Sequence, residues 1–141
     1  MSDSAEENPT SPSACTPWLS PAEQTAWLGA AALMMRLPAA LDTQLQEDSG
    51  LSFFEYMVLA VLSEQPDCSL QMSDIAHATS ASLSRLSHTV GRLEKQGFVI
   101  RKRIAGPGRS TRAVLTDAGN AKVESAAPGH VRRVRELLID A

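Results

Sequence analysis

Thr79-Ser80-Ala81-Ser82-Leu83-Ser84-Arg85-Leu86-Ser87-His88-Thr89-Val90-Gly91-Arg92-Leu93 leads into Gly97-Phe98-Val99-Ile100-Arg101-Lys102-Arg103, and a Gly/Pro loop then gives way to Arg109-Ser110-Thr111-Arg112-Ala113-Val114-Leu115. The first run predicts a helix over residues 82–96, closed by Gly97. At about 100° per residue, Leu83, Leu86, Val90 and Leu93 share one narrow arc. Ala81, Ser84, Arg85, His88 and Arg92 take the opposite arc, with Ser82 and Thr89 on its shoulder. β-Branched and basic residues over 98–104 and 111–115 predict a two-stranded hairpin around Ala105-Gly106-Pro107-Gly108. A helix of this width fits the DNA major groove, where short hydroxyl donors, His and Arg reach base edges and phosphates. Its N-terminus adds amide donors for a phosphate.

The charge distribution points the same way. The chain of 141 residues has a formal charge of −3. Residues 71–115 nevertheless hold eight of the 13 Lys and Arg against two of the 16 Asp and Glu. Residues 1–70 hold Arg36 as their one basic residue against ten acidic ones. A cationic segment inside an acidic protein is an electrostatic footprint for a polyanion. Ser82, Ser84, Arg85 and His88 are the candidates for the major groove, with Thr89 beside them. Arg92 and Arg101 are placed to take phosphates, and Arg109, near the hairpin tip, to enter a minor groove.

Outward from this unit, residues 1–18 read as a disordered tail: up to Thr16 they are rich in Ser, Pro, Asp and Glu and poor in large apolar side chains. Ser20-Pro21-Ala22-Glu23 is a capping box that opens a long helix. Trp27, Ala30, Ala31, Met34, Leu37, Leu41 and Leu45 continue at helical spacing. Pro38 is expected to kink or split that helix, and Ser49-Gly50 to stop it. Ser52-Phe53-Phe54-Glu55 caps a second helix, with Phe54, Met57, Val58, Val61 and Leu62 as its buried face. A short third helix covers about residues 71–78, with Met72, Ile75 and Ala76 inward. Thr116-Asp117 caps a fifth, which Pro128-Gly129 should break before Val131, Val134, Leu137 and Leu138 resume an apolar stripe. The class is mainly α with a small β-hairpin.

Enzymatic chemistry finds no support. There is no Gly-rich phosphate loop, no metal-spaced His/Cys cluster and no nucleophile elbow, and His77, His88 and His130 are scattered over different helices. No catalytic residue, metal or cofactor is expected. Cys15 and Cys68 suit reduced thiols rather than a disulfide framework. With no apolar run near 18 residues and no signal-like N-terminus, the chain reads as soluble and cytoplasmic, without a membrane partner.

The run Ala81-Ser82-Leu83-Ser84-Arg85-Leu86-Ser87-His88, with Gly91-Arg92-Leu93-Glu94, Gly97-Phe98-Val99 and Ala113-Val114-Leu115-Thr116-Asp117-Ala118-Gly119, resembles the MarR family of winged helix-turn-helix regulators over residues 27–138. The resemblance implies a winged helix-turn-helix over 51–116 with dimerisation helices over 19–50 and 117–141, together one domain over 19–141. It implies a homodimer whose recognition helices enter successive major grooves of a pseudo-palindromic double-stranded operator. It also implies a repressor loosened by a small aromatic or phenolic effector, for which Trp27, Phe53, Phe54 and Tyr56 are the candidate pocket residues. Two features depart from the family. Its wings usually carry Asp-x-Arg where this chain has Pro107-Gly108-Arg109, and its members typically run past the position of Ala141, so either a smaller dimer interface or a larger share for the N-terminal helix is expected. A winged-helix protein-interaction module with weak or no DNA binding is the alternative.

Overall fold

The computed structural model describes residues 15–104 and 110–141. The chain divides into two compact units, one up to Met34 and one from Met35 to Ala141. Helix α1, Pro21–Ser49, crosses that division. Its start is the expected capping box: the Ser20 N–H donates to Glu23 Oε1 at 2.9 Å and the Glu23 N–H to Ser20 Oγ at 3.2 Å. In the first unit most described residues are exposed, including Trp18, Trp27, Leu28 and Met34.

In the second unit, Gly50 closes α1 with φ +67°, and its N–H reaches the Gln46 carbonyl at 3.1 Å. Pro38 does not split the helix. It lies on the exposed side, where water can satisfy the carbonyl that its missing N–H leaves free. Helix α2, Phe53–Ser63, carries the second capping box, Ser52 with Glu55. Its deepest residues are Tyr56, Val58, Leu59 and Leu62, while Phe54, Met57 and Val61 are only half-buried. Nearly every residue of α2 is apolar, so its sequence gives no contrast from which to choose the buried face.

A short strand β1, Ser69–Gln71, precedes helix α3, Met72–Ala78. Helix α4, Leu83–Lys95, ends at Gly97, which adopts φ +82°. Strands β2, Val99–Ile104, and β3, Ser110–Leu115, complete an antiparallel sheet in the order β1-β3-β2. Leu115 pairs with Val99, and Leu70 with Ala113. β1 is the strand the sequence did not announce: three residues cannot display an alternating pattern, and its partner lies far along the chain.

Helix α5, Asp117–Val134, starts at the Thr116 cap and runs straight through Pro128-Gly129, ending in a π-helical turn, Arg135–Ile139. The expected break fails for the same reason as at Pro38. Pro128 and Glu124, whose carbonyl loses its donor, are both exposed. One core ties these elements together: Leu45 and Leu51, Val58, Leu59 and Leu62 of α2, Ile75, Leu86, Val90 and Leu93, Val99, and Val123 and Ala126 of α5. Helices α2 and α3 and strand β2 therefore hold α4 from behind, and its other side is left to solvent.

Candidate nucleic-acid interface

A tight turn presents α4. The Ser80 N–H donates to His77 O at 3.2 Å and the Ala81 N–H to Ala76 O at 2.9 Å, with Ser80 itself left-handed at φ +53°. Ser82 is the N-cap, its Oγ accepting the Arg85 N–H at 3.1 Å. Its hydroxyl proton remains available to an incoming acceptor. Along the helix, Leu86, Val90 and Leu93 are 0% exposed and Thr89 is 2% exposed. That i, i+3, i+4, i+7 set is the seam.

Two assignments change as a result. Thr89 faces the core and not the solvent, and Leu83, read as part of the seam, is 57% exposed. Thr89 lies three residues after Leu86 and four before Leu93, so its methyl completes the buried stripe. Leu83 sits in the first turn, at the end of that stripe. The outward face is thereby recentred on Ser84, His88, Gly91 and Lys95. Arg85 and Arg92 flank it on one side; Leu83, Ser87 and Glu94 flank it on the other.

On the first flank, the Arg85 guanidinium stands over the Phe54 ring, 4.0 Å from its centroid. Arg92 Nη2 approaches Thr89 Oγ1 at 3.5 Å. Arg85, His88 and Arg92 also wall a cleft of about 990 Å³ whose other side includes Pro38, Asp42, Phe53, Phe54 and Met57. Of the four pocket candidates, Phe53 and Phe54 line this cleft. Tyr56 does not: it is buried, with its ring 4.4 Å from that of His130. Trp27 belongs to the other unit and is 50% exposed. The contributions of Met57, Asp42 and the two arginines were not foreseen, because they depend on how α1, α2 and α4 pack.

On the second flank, the sheet is pinned to α4. The Arg101 N–H donates to Glu94 Oε2 at 3.0 Å, and its guanidinium to Glu94 Oε1 and Ser87 Oγ, both at 3.3 Å. The Arg101 amide, more than the guanidinium, holds the Glu94 carboxyl below the usual carboxylate range. Arg101 is thus half-buried and already engaged. Arg112, counted with the basic segment, holds β1: its Nη2 reaches Ser69 Oγ at 3.1 Å and Asp67 Oδ2 at 3.7 Å. The Ser69 hydroxyl and amide, with Arg112 beyond, keep the Asp67 carboxyl low.

Among the described residues, Arg85, Arg92, Lys95, Lys102 and Arg103 are exposed cations with no carboxylate partner. Arg92, Lys95 and Arg101 converge with Ser87 and His88 on a hollow of about 270 Å³ beside Gly91. Gly91 keeps this hollow open, and Ser84 lies one helical turn before His88. Arg109 and Pro107-Gly108 lie outside the described residues. Nor do the described residues contain a His/Cys/Asp/Glu group fit for a metal, or a helix long and apolar enough to cross a membrane.

Comparison with known proteins adds the following. The MarR family model matches residues 49–110. No curated protein matches the chain. AbsC, a MarR family transcriptional regulator from Streptomyces coelicolor, is 38% identical with a TM-score of 0.79, over 89% of this chain and 84% of that one. Sco3205, a MarR family transcriptional regulator from the same organism whose structure is a complex with DNA, is 38% identical with a TM-score of 0.81, over 89% and 79%. A MarR family transcriptional regulator from Silicibacter pomeroyi is 29% identical with a TM-score of 0.68, over 87% and 86%.

Proposed function

The chain belongs to the MarR family of DNA-binding transcriptional regulators, and from that premise we propose that it is a homodimeric repressor reading a pseudo-palindromic operator through α4. The observation that carries this reading is the face of α4 itself. Ser84, His88, Gly91 and Lys95 stand clear of the core, and unpaired cations border them on α4 and β2. Donors of this length on an exposed helix suit base edges, and the cations suit the phosphates on either side. That Sco3205 was solved with DNA supports the same reading by similarity.

The roles divide by position. Ser84 and His88 face the groove floor. Ser82 and Arg85 reach from the helix start, and Arg85 supplies the bidentate pairing with guanine. Arg92, Lys95 and Lys102 take phosphates. Arg101 mainly fixes the wing on α4 and offers its remaining donor capacity to the backbone, and Arg109 serves the minor groove. The exposed apolar residues of α1, of α5 and of the C-terminal turn, among them Trp27, Met34, Val131, Leu138 and Ile139, support a second copy as their cover. The winged unit over 51–116 is the reading part, and the segments 19–50 and 117–141 are the assembling parts.

The cleft beneath α4 suits a small aromatic or phenolic acid. Phe53 and Phe54 offer ring faces, and Arg85, His88 and Arg92 offer donors to an acid group. Arg85 cannot serve an acid in the cleft and a base edge at once. Occupancy of the cleft therefore withdraws a reading residue from DNA, the differential contact that coupling requires.

Competition gel shifts at two salt concentrations test the assignment. Arg85→Ala is expected to lower preference for the selected operator over other DNA, and Arg109→Ala to weaken binding across sequences. Unchanged affinity in both variants would sink it.

A further inference from the structure

Leu83 is the first helical residue of α4 and is 57% exposed, whereas Leu86, Val90 and Leu93 of the same helix are fully buried. A single exposed leucine is ordinary on a protein surface. The surroundings of this one are not. The seam of α4 is complete without it, made by Leu86, Thr89, Val90 and Leu93. Its neighbours are donors: Ser84 follows it, and Ser87 lies one turn on. It lines a hollow of about 360 Å³ with Met72 and Ser73 of α3, Arg101 of β2, and Ser110 and Thr111 of β3. A large aliphatic group thus stands beside Met72, several hydroxyls and a guanidinium at the exposed start of α4.

Among the base edges of the major groove, one chemical group is apolar: the C5-methyl of thymine. Leu83 lies about 100° around the helix from Ser84. With Ser84 and His88 facing the groove floor, its side chain leans toward the wing side, along the wall where a base-edge methyl projects. We propose that Leu83 packs against the C5-methyl of one thymine in each half-site, making it a specificity-determining residue of this interface. It supplies what the hydrogen-bonding residues of α4 cannot, a preference for thymine over a base with the same donors and acceptors but no methyl. The proposal rests on the reading of α4 as the DNA-binding helix.

Deoxyuridine provides the test, since it keeps the hydrogen-bonding pattern of thymine and lacks only the methyl. The full chain selects duplexes from a random pool, and each thymine of the selected site is then replaced singly by deoxyuridine. One position per half-site is expected to lose about fourfold in affinity, the factor one buried methylene carries. Leu83→Ala should bind the thymine and uracil duplexes alike at that position and still prefer both to a scrambled duplex. Alanine is a strong helix former, Leu83 is not part of the core, and the thymine-to-uracil scan needs no variant at all. If no thymine responds to the replacement, or if Leu83→Ala keeps the discrimination, the assignment is overturned while α4 remains the reading helix. If the chain selects no sequence, the DNA-reading function itself fails and the role of Leu83 falls with it.

Discussion

Gly119→Ala reports on the packing that sets the wing on its support. Gly119 is the third residue of α5 and is buried, and the Phe98 backbone crosses directly over it. A methyl group there would overlap the Phe98 carbonyl oxygen, lie 3.0 Å from its carbon and come within 2.6 Å of Leu115 Cδ1. The carbonyl cannot step aside cheaply. It accepts the Thr116 N–H at 3.0 Å, and the Thr116 hydroxyl donates to Gly97 O at 2.6 Å. Overpacking against backbone belongs near the upper end of its usual range, about 3 kcal/mol. Loss of the Phe98–Thr116 bond adds about 1 kcal/mol, and the better helix propensity of alanine returns about 1 kcal/mol. The net loss is about 3 kcal/mol, or about 10 °C in Tm at roughly 3–4 °C per kcal/mol. Gly91→Ala reverses the sign: the added methyl would meet Arg101 Nη2 at 3.6 Å, an ordinary contact, so only the propensity gain remains. Thermal and urea unfolding at one fixed protein concentration would measure both variants. A Gly119→Ala protein as stable as wild type, or less affected than Gly91→Ala, would refute the reasoning.

Three further outcomes follow from single residues. Thr89→Val should leave DNA affinity within about twofold, since a core-facing side chain cannot reach a base edge, and gel shifts beside Arg85→Ala would show a large loss if Thr89 did face DNA. Ser82→Ala removes the α4 cap and should cost about 1 kcal/mol in urea unfolding; an unchanged midpoint would mean that another group caps the helix. His130 stands between the rings of Phe53 and Tyr56, its Nδ1 is buried without a partner, and burial pushes its pKa below the ordinary 6.5. The unfolded chain then binds more protons than the folded one as pH falls from 6.5 toward the depressed value, so stability present above 6.5 is lost across that window. Melting curves at pH 7.5 and 5.5 should fall more steeply for wild type than for His130→Phe, and parallel curves would contradict this.

The sequence made the chemistry of the interface readable and its exact orientation less so. Ser20, Ser52 and Thr116 all cap where their spacing predicted, because caps are local and their hydrogen bonds span three residues. Orientation of α4 turned on Thr89 against Leu83, and a wheel that scores apolar size cannot see that a threonine completes the seam while a leucine in the first turn overhangs it. The prolines misled for a related reason: whether Pro38 or Pro128 breaks a helix depends on whether water reaches the freed carbonyl, which is a property of the folded surface. Arg101 and Arg112 counted equally with other cations in the charge pattern, yet Glu94 and Asp67 engage them across tertiary contacts. The surface proposed to read DNA is therefore narrower than the basic segment that signalled it.

Binding of the full chain to a duplex it has selected, measured at about 50 and 200 mM salt beside a scrambled duplex, addresses the central claim most directly. If α4 and its flanking cations read DNA as a pair of copies, affinity should fall by about a thousandfold or more between the two salt concentrations, the loss expected for several neutralised phosphates. The preference for the selected duplex should persist at both. Affinity that is flat with salt, or equal for the two duplexes, would contradict the account.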